Sequence, residues 1–227
     1  VSDSQLVLEF AHRPALGRDD FLTAPCNTEA VAWLERWPDW PSHALALFGP
    51  AGCGKSHLLA AFAQSRPGVV RVVAAAVDVA GVPDLVAAAR VVAVDDLAAG
   101  LDETALFHLW NLTRETGRFL LLAGREAPAR LAVALPDLRS RLAATPAAGI
   151  GAPDDGLLAA VLVKLFADRQ VKVGMDVVSY VLGRIERSFA AIGRLVEAVD
   201  RVSLSERRAV TVPLVRHVMA LHEGRDG

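Results

Sequence analysis

Lysine is scarce in this 227-residue sequence: three lysines, Lys55, Lys164 and Lys172, stand against 21 arginines. Arginine therefore carries the general surface charge, and each lysine position asks for its own explanation. There are two cysteines, Cys26 and Cys53, with no metal-ligand spacing between them. That excludes a disulfide framework and fits a reduced, cytoplasmic setting. No apolar run approaches the ~20 residues of a membrane span, so no membrane association is expected. The first ten residues carry Asp3 and Glu9 and lack a basic cluster, so no secretory leader is expected. The net charge is −2, so no global basic field attracts nucleic acid, and any contact with DNA is expected to be indirect. The six histidines are scattered without metal spacing. There is no internal repeat.

What is present is apolar material: 53% hydrophobic residues against 22% charged ones, ample for a core. Residues 1–20 read as a polar tail carrying Pro14 and Gly17. A helix is expected over Thr28–Arg36, capped by Asn27 or Thr28, and WPDWPS (37–42) ends it. Four β-branched or leucine-rich runs read as strands: ALALFG (44–49), VVRVVAAAV (69–77), VVAVDDL (91–97) and FLLLAG (119–124). Helices are expected at 57–65 and from a capping Asp102 through Thr116. Strands alternating with helices imply a parallel sheet covered on both faces. After APDDG (152–156) only helices are expected, at 157–171, 176–187, 189–205 and 213–222. The tryptophans (33, 37, 40 and 110) read as packing aromatics, with Trp37 and Trp40 candidates to cover a base.

GPAGCGKS (49–56) fits the phosphate-loop pattern G-x-x-x-x-G-K-[ST], between a strand and a helix. Gly49, Gly52 and Gly54 let the backbone curl around an anion without a Cβ clash. The N–H groups of Pro50–Ser56 other than proline, with the positive end of the next helix, then meet phosphates. The whole stretch, with Pro50, Ala51 and Cys53 as its variable positions, is expected to hold ATP or ADP. Lys55 is expected to reach the β- and γ-phosphates and Ser56 to bind Mg²⁺. The alternative is a glycine turn matching by accident. VVAVDDL supplies the second half: an apolar strand ending in acid, with Asp95 expected on Mg²⁺ and Asp96 polarising a water.

With these stretches in this order, the sequence resembles the AAA+ ATPases, and within them the bacterial replication initiator family, DnaA. FLTAPCN (21–27), GPAGCGKSHLL (49–59), VVAVDDL, FLLLAGREAP (119–128) and LRSRL (138–142) look like that family's boxes, and the resemblance covers roughly residues 20–222. It implies an α/β AAA+ P-loop core with a parallel five-stranded sheet, followed by a small all-helical lid. The implied units are a tail over 1–20, a core over 21–152 and a lid over 153–227. It further implies that Asn27 lies at the nucleotide. The sequence carries neither the initiator's helix-turn-helix domain nor its long N-terminal domain, and so looks like the family's short regulatory-inactivator branch, Hda.

That branch gives QLVLEF (5–10) a meaning: the stretch is similar to peptides that hook onto the replication sliding clamp. In an extended peptide Leu6, Leu8 and Phe10 share one side, and Gln5 offers donor and acceptor. Three anchors at ~1.5–3 kcal/mol each are opposed by ~2–5 kcal/mol for ordering a tail. The net suits a roughly micromolar-to-millimolar tether, strengthened where a ring offers several pockets. The alternative is an N-terminal edge strand. LRSRL lies at the family's matching position, and the resemblance implies Arg141 as an arginine finger, with Arg139 the second choice, acting on ATP held by the initiator; such a residue is worth ~10³–10⁵ in rate. A dimer of the chain is also expected.

Two departures from the family pattern stand out. Ala190, in RSFAAIG (187–193), occupies the place of the lid arginine that touches nucleotide, with Arg187 and Arg194 out of register. The polar residue at the end of the fourth strand is replaced by Gly124 or Arg125. Both imply tight nucleotide binding with weak turnover. Competing readings are a helicase loader that binds single-stranded DNA and a small P-loop kinase; neither needs QLVLEF. Changing Gln5, Leu6 and Phe10 to alanine is expected to abolish pull-down by the clamp while nucleotide titration stays unchanged.

Overall fold

The computed structural model describes residues 22–98 and 100–223. The expected tail over 1–20, with Gln5, Leu6, Leu8 and Phe10, lies outside the described residues. Five strands form one sheet: β1 (Ala44–Phe48), β2 (Val69–Val73), β3 (Val91–Leu97), β4 (Phe119–Gly124) and β5 (Ala147–Gly149). Their order is β2-β3-β4-β1-β5, and every pairing is parallel. The helices of this part are α1 (Thr28–Glu35), α2 (Lys55–Ser65), α3 (Val82–Ala88), α4 (Glu103–Glu115) and α5 (Pro136–Ala143).

The two-residue period of the strands sorts their side chains between two cores. Leu45, Leu47, Val91, Ala93, Leu121 and Ala123 pack with Leu34 of α1 and Leu58, Leu59 and Phe62 of α2. Ala44, Ala46, Val92, Val94, Leu120 and Leu122 pack with α3, α4 and α5, including Leu106, Leu109, Trp110, Leu138 and Leu142. Both faces are covered, which is why the inner strands read as unbroken apolar runs. Asp102 caps α4 as expected, its carboxylate accepting from the Ala105 N–H at 2.9 Å.

Several elements depart from the sequence expectation. β2 stops at Val73, and Ala74–Ala76 form a 3₁₀ turn instead of continuing it. β2 is an edge strand with one neighbour, and its last register partner is Asp95. Three alanines offer little β-propensity to carry it further. The fifth strand is the short segment AAG, held by pairing with β1. Neither Asn27 nor Thr28 caps α1 with its side chain. Asn27 instead accepts from the Ala24 N–H at 2.9 Å and donates to the Leu22 carbonyl at 3.0 Å, tying down the preceding loop. Trp37 and Trp40 pack against Phe62 and Phe119 under the sheet, with no base-covering role in this arrangement.

The remaining helices are α6 (Asp155–Asp168), α7 (Met175–Leu182), α8 (Phe189–Glu206) and α9 (Val212–Glu223). They enclose a third core, with Leu162, Phe166, Val181, Ile192, Val196 and Leu214 at its centre. Asp154 caps α6 through the Leu157 N–H at 2.8 Å, and Ser188 caps α8 through the Ala191 N–H at 3.1 Å. Among the described residues, no helix is long and apolar enough to cross a membrane. Phe62 is fully buried against the rings of Trp37 and Trp40, so Phe62→Ala is expected to lower unfolding free energy by ~3–5 kcal/mol. Leu204→Ala, at a side chain 71% exposed, is expected to change it by less than ~0.5 kcal/mol. Urea denaturation of both variants checks the contrast.

Candidate nucleotide site at the sheet edge

The phosphate-loop stretch leaves β1 at the C-terminal end of the parallel sheet and runs into α2. Its glycines are sterically required. A Cβ on Gly49 would lie 2.1 Å from the Ile150 carbonyl oxygen. Gly52 and Gly54 have φ of 73° and 99°, a left-handed backbone that suits glycine. The Gly49 N–H donates to the Gly124 carbonyl at 3.2 Å, which pins the start of the loop to the end of β4. Pro50 and Ala51 are exposed, whereas Cys53 is buried in the core beneath.

Lys55 folds back over this loop, its Nζ donating to the Gly49 and Pro50 carbonyls at 2.7 and 2.8 Å. Ser56 stands exposed in the first turn of α2. The helix start and the curled loop together form a concave, N–H-rich cradle of the kind that receives phosphate.

The lid closes directly onto that cradle. The Phe189 N–H donates to the Gly52 carbonyl at 3.0 Å. A Cβ on Gly52 would lie 2.4 Å from the Ser188 Cβ, and one on Gly54 would lie 3.1 Å from the Phe189 ring. Between the loop and α2 on one wall and α6 and α8 on the other lies a cleft of about 670 Å³. That size falls within the ~300–1,000 Å³ of small-molecule sites. Asn27 borders it, as do Lys55, Ser56 and the apolar Leu157, Val161 and Phe189. Lys164 also lines the cleft, so two of the chain's three lysines face it. Lys164 pairs with Asp168 at 3.0 Å. The sequence reading had attached no role to Lys164.

α8 presents Ala190 and Gly193 to the cleft, with no guanidinium between them. Arg187 is drawn aside by an exposed pair with Asp155 at 3.2 Å. Arg194 is exposed and does not line the cleft.

Asp95 is 8% exposed at the end of β3, two strands from β1, and neither it nor Asp96 lines the cleft. One of its carboxylate oxygens accepts from the Asp96 N–H at 2.9 Å, and the other meets Arg71 Nη2 at 3.4 Å. Arg71, on β2, was not singled out in the sequence. Asp96 is exposed with φ of 55°, at a register shift where β3 slips against β4. The end of β4 offers no polar side chain: a Cβ on Gly124 would lie 2.8 Å from the Leu97 carbonyl oxygen, and Arg125 is exposed beyond it. Among the described residues, no cluster of three or more His, Cys, Asp or Glu forms a metal cage. The Ser56 hydroxyl and Asp95 carboxylate are nevertheless hard oxygen donors of the type magnesium takes, with phosphate and water completing the set.

The LRSRL segment lies on α5, and α4 grips it. Glu103, Phe107 and Asn111 recur every four residues and so share one face of α4. Glu103 accepts from the Ala134 and Leu135 N–H groups at 2.8 Å, just before α5 begins. Arg141 Nη1 donates to Asn111 Oδ1, and its guanidinium lies 4.4 Å above the Phe107 ring. Arg139 is exposed. This stripe was legible in the sequence as a second spacing, flanking the face of Leu106, Leu109 and Trp110, but carried no recognised motif.

The chain resembles known proteins in two separable ways. A family model for the lid domain of Hda matches residues 155–219. A curated relative from Haemophilus influenzae, described only as an uncharacterized protein, is 27% identical over 186 residues, 77% of this chain and 80% of that one. Domain III of the Thermotoga maritima replication initiation protein DnaA superposes with a TM-score of 0.77 at 17% identity, covering 92% of this chain and 97% of that one. AMPPCP-bound DnaA from Aquifex aeolicus gives 0.64 at 18% identity, covering 85% of this chain and 68% of that one. The fold is that of the DnaA structures, and residues 155–219 match the lid of Hda.

The bonds from Ala134 and Leu135 hold the Glu103 carboxyl below the ordinary glutamate range. A depressed folded value contributes stability above the unfolded value of ~4.3, and that contribution is lost as pH falls through the lower folded value. Glu103→Gln is expected to lower stability at neutral pH and to flatten its decline below pH ~4.3. Urea unfolding across pH 3–7 checks this; parallel curves for the two proteins would remove the claim.

Proposed function

We propose that this DnaA-like chain with an Hda-like lid is a nucleotide-bound regulator of replication initiation, whose target is ATP held by the initiator rather than its own. The observation that carries the reading is the match of residues 155–219 to the Hda lid on a chain that also presents a phosphate-loop cradle. The DnaA structures that this fold resembles include AMPPCP-bound forms, which supports an adenine nucleotide, ADP or ATP, as the resident ligand. The core acts over 21–152 and the lid over 153–227.

In this reading the N–H groups of the loop and Lys55 hold the phosphates. Lys55 exchanges its carbonyl partners for phosphate oxygens of opposite charge, a stronger bond. Ser56 and Asp95 are the residues that would hold Mg²⁺, and Asp96 would orient water. Bound with nucleotide, Mg²⁺ neutralises charge on the phosphate oxygens. Asn27 keeps the loop before α1 against the cleft. The chain's own turnover is weak, because neither Gly124 nor Ala190 brings a polar group to the reacting phosphate.

Arg141 is the finger that reaches a neighbour's nucleotide, leaving Phe107 and Asn111 to do so, and Arg139 is the alternative. It stabilises charge spreading over the γ-phosphoryl oxygens. Gln5 to Phe10 tether the protein to the sliding clamp, in the cytoplasm, with a dimer as the working form, so DNA is met only indirectly.

Mixing the protein with clamp-loaded DNA and ATP-bound initiator tests the reading. Loss of initiator-bound ATP should accelerate, Arg141→Ala should abolish most of that effect, and the isolated protein should hydrolyse ATP slowly. No acceleration, or acceleration indifferent to Arg141→Ala, would favour a helicase loader instead.

A further inference from the structure

We propose that Arg71 is a positioning residue that competes with a divalent cation for Asp95, so that magnesium at Ser56 and Asp95 is held weakly and adds little to nucleotide retention. The inference rests on the nucleotide reading above and concerns one pair of side chains within that site.

The pairing register creates the contact. Val73 of β2 lies opposite Asp95 of β3, and Arg71 lies opposite Ala93. With a two-residue period, Arg71 and Asp95 are diagonal neighbours on one face of the sheet. Ala93 belongs to the core beneath α2, so this is the face on which α2 begins with Lys55 and Ser56.

Both carboxylate oxygens are engaged. Oδ2 meets Arg71 Nη2 at 3.4 Å, and Oδ1 accepts the Asp96 N–H at 2.9 Å. The Asp95 side chain is 11% exposed and that of Arg71 37%, so the acid is largely screened from solvent while its partner is not. Arginine keeps its charge throughout the accessible pH range. A cation approaching this carboxylate therefore meets a fixed like charge, and coordination requires the guanidinium to give way. Magnesium sheds its waters reluctantly and needs near-ideal octahedral geometry, which makes it a poor competitor for a carboxylate already bonded twice.

The contact has a second consequence. Asp96 sits at the register shift with a left-handed backbone, and its N–H points at Asp95. Arg71 thus fixes the carboxylate on one side while the bulge fixes it on the other. The acid is rigid, but rigid in an arrangement suited to the guanidinium.

The test measures metal binding rather than hydrolysis. Mn²⁺ binding to the ADP complex is followed by electron paramagnetic resonance, and ADP affinity is measured by calorimetry with and without Mg²⁺. In Arg71→Met, Mn²⁺ affinity should rise about fivefold, the scale set by a partly exposed ion pair. The ratio of ADP affinities with and without Mg²⁺ should grow in step. Arg71→Lys, which keeps the charge, should stay near wild type, and Arg71→Gln should follow the methionine variant. Adding Asp95→Asn to Arg71→Met should cancel the gain. Unchanged or weakened Mn²⁺ binding in both neutral variants would overturn the role given to Arg71 while leaving nucleotide binding in place. A wild-type protein that binds no ADP under either condition would overturn the nucleotide reading itself, and this inference with it.

Discussion

One main-chain hydrogen bond, from Phe189 to the Gly52 carbonyl, joins the lid to the phosphate loop, and the rest of the site is arranged around it. Ser188 presses its Cβ where a side chain on Gly52 would stand, and the same serine caps α8. The loop's left-handed backbone, the absence of a Cβ and the start of a lid helix are therefore one requirement rather than three. Because α8 packs through Ile192, Leu195 and Val196 into the lid core, the whole helical unit is rigidly attached to a turn of the loop.

The chain's arginines are then set against its own site. Among the described residues no arginine lines the cleft; Arg187 is drawn to Asp155, and Arg71 is bound to the acid at the end of β3. Gly124 closes the end of β4 with backbone, because the Leu97 carbonyl leaves no room for a side chain. On the nucleotide reading proposed above, these features would leave the reacting end of a bound phosphate with little polar assistance while keeping the cradle intact. α5, by contrast, is braced at two points by α4, through Glu103 at its start and Asn111 with Phe107 near its end. The geometry favours holding a ligand on one side of the molecule and presenting a positioned guanidinium on another.

Much of this was legible in the residues. β1, β3 and β4 announced themselves because sheets covered on both faces demand continuous apolar runs. The phosphate loop was legible because its glycines answer to steric needs that other residues cannot meet. β5 was not, since Ala147–Gly149 has no strand propensity and exists through its pairing with β1. α3 and α5 span seven and eight residues, too short for a helical period to stand out. The Arg71–Asp95 contact depends on strand register, a long-range property that no local window contains. Asn27 borders the cleft, and its amide serves the loop before α1 rather than the helix. The QLVLEF segment lies outside the described residues.

The near-absence of lysine has a chemical corollary. Acylation of side-chain amines on this protein is limited to three positions, and Lys55 and Lys164 both border the cleft. An acetyl group on either would neutralise a cation and occupy space in the same stroke. On a surface dressed with arginine, amine-directed modification becomes almost a private language of the binding site.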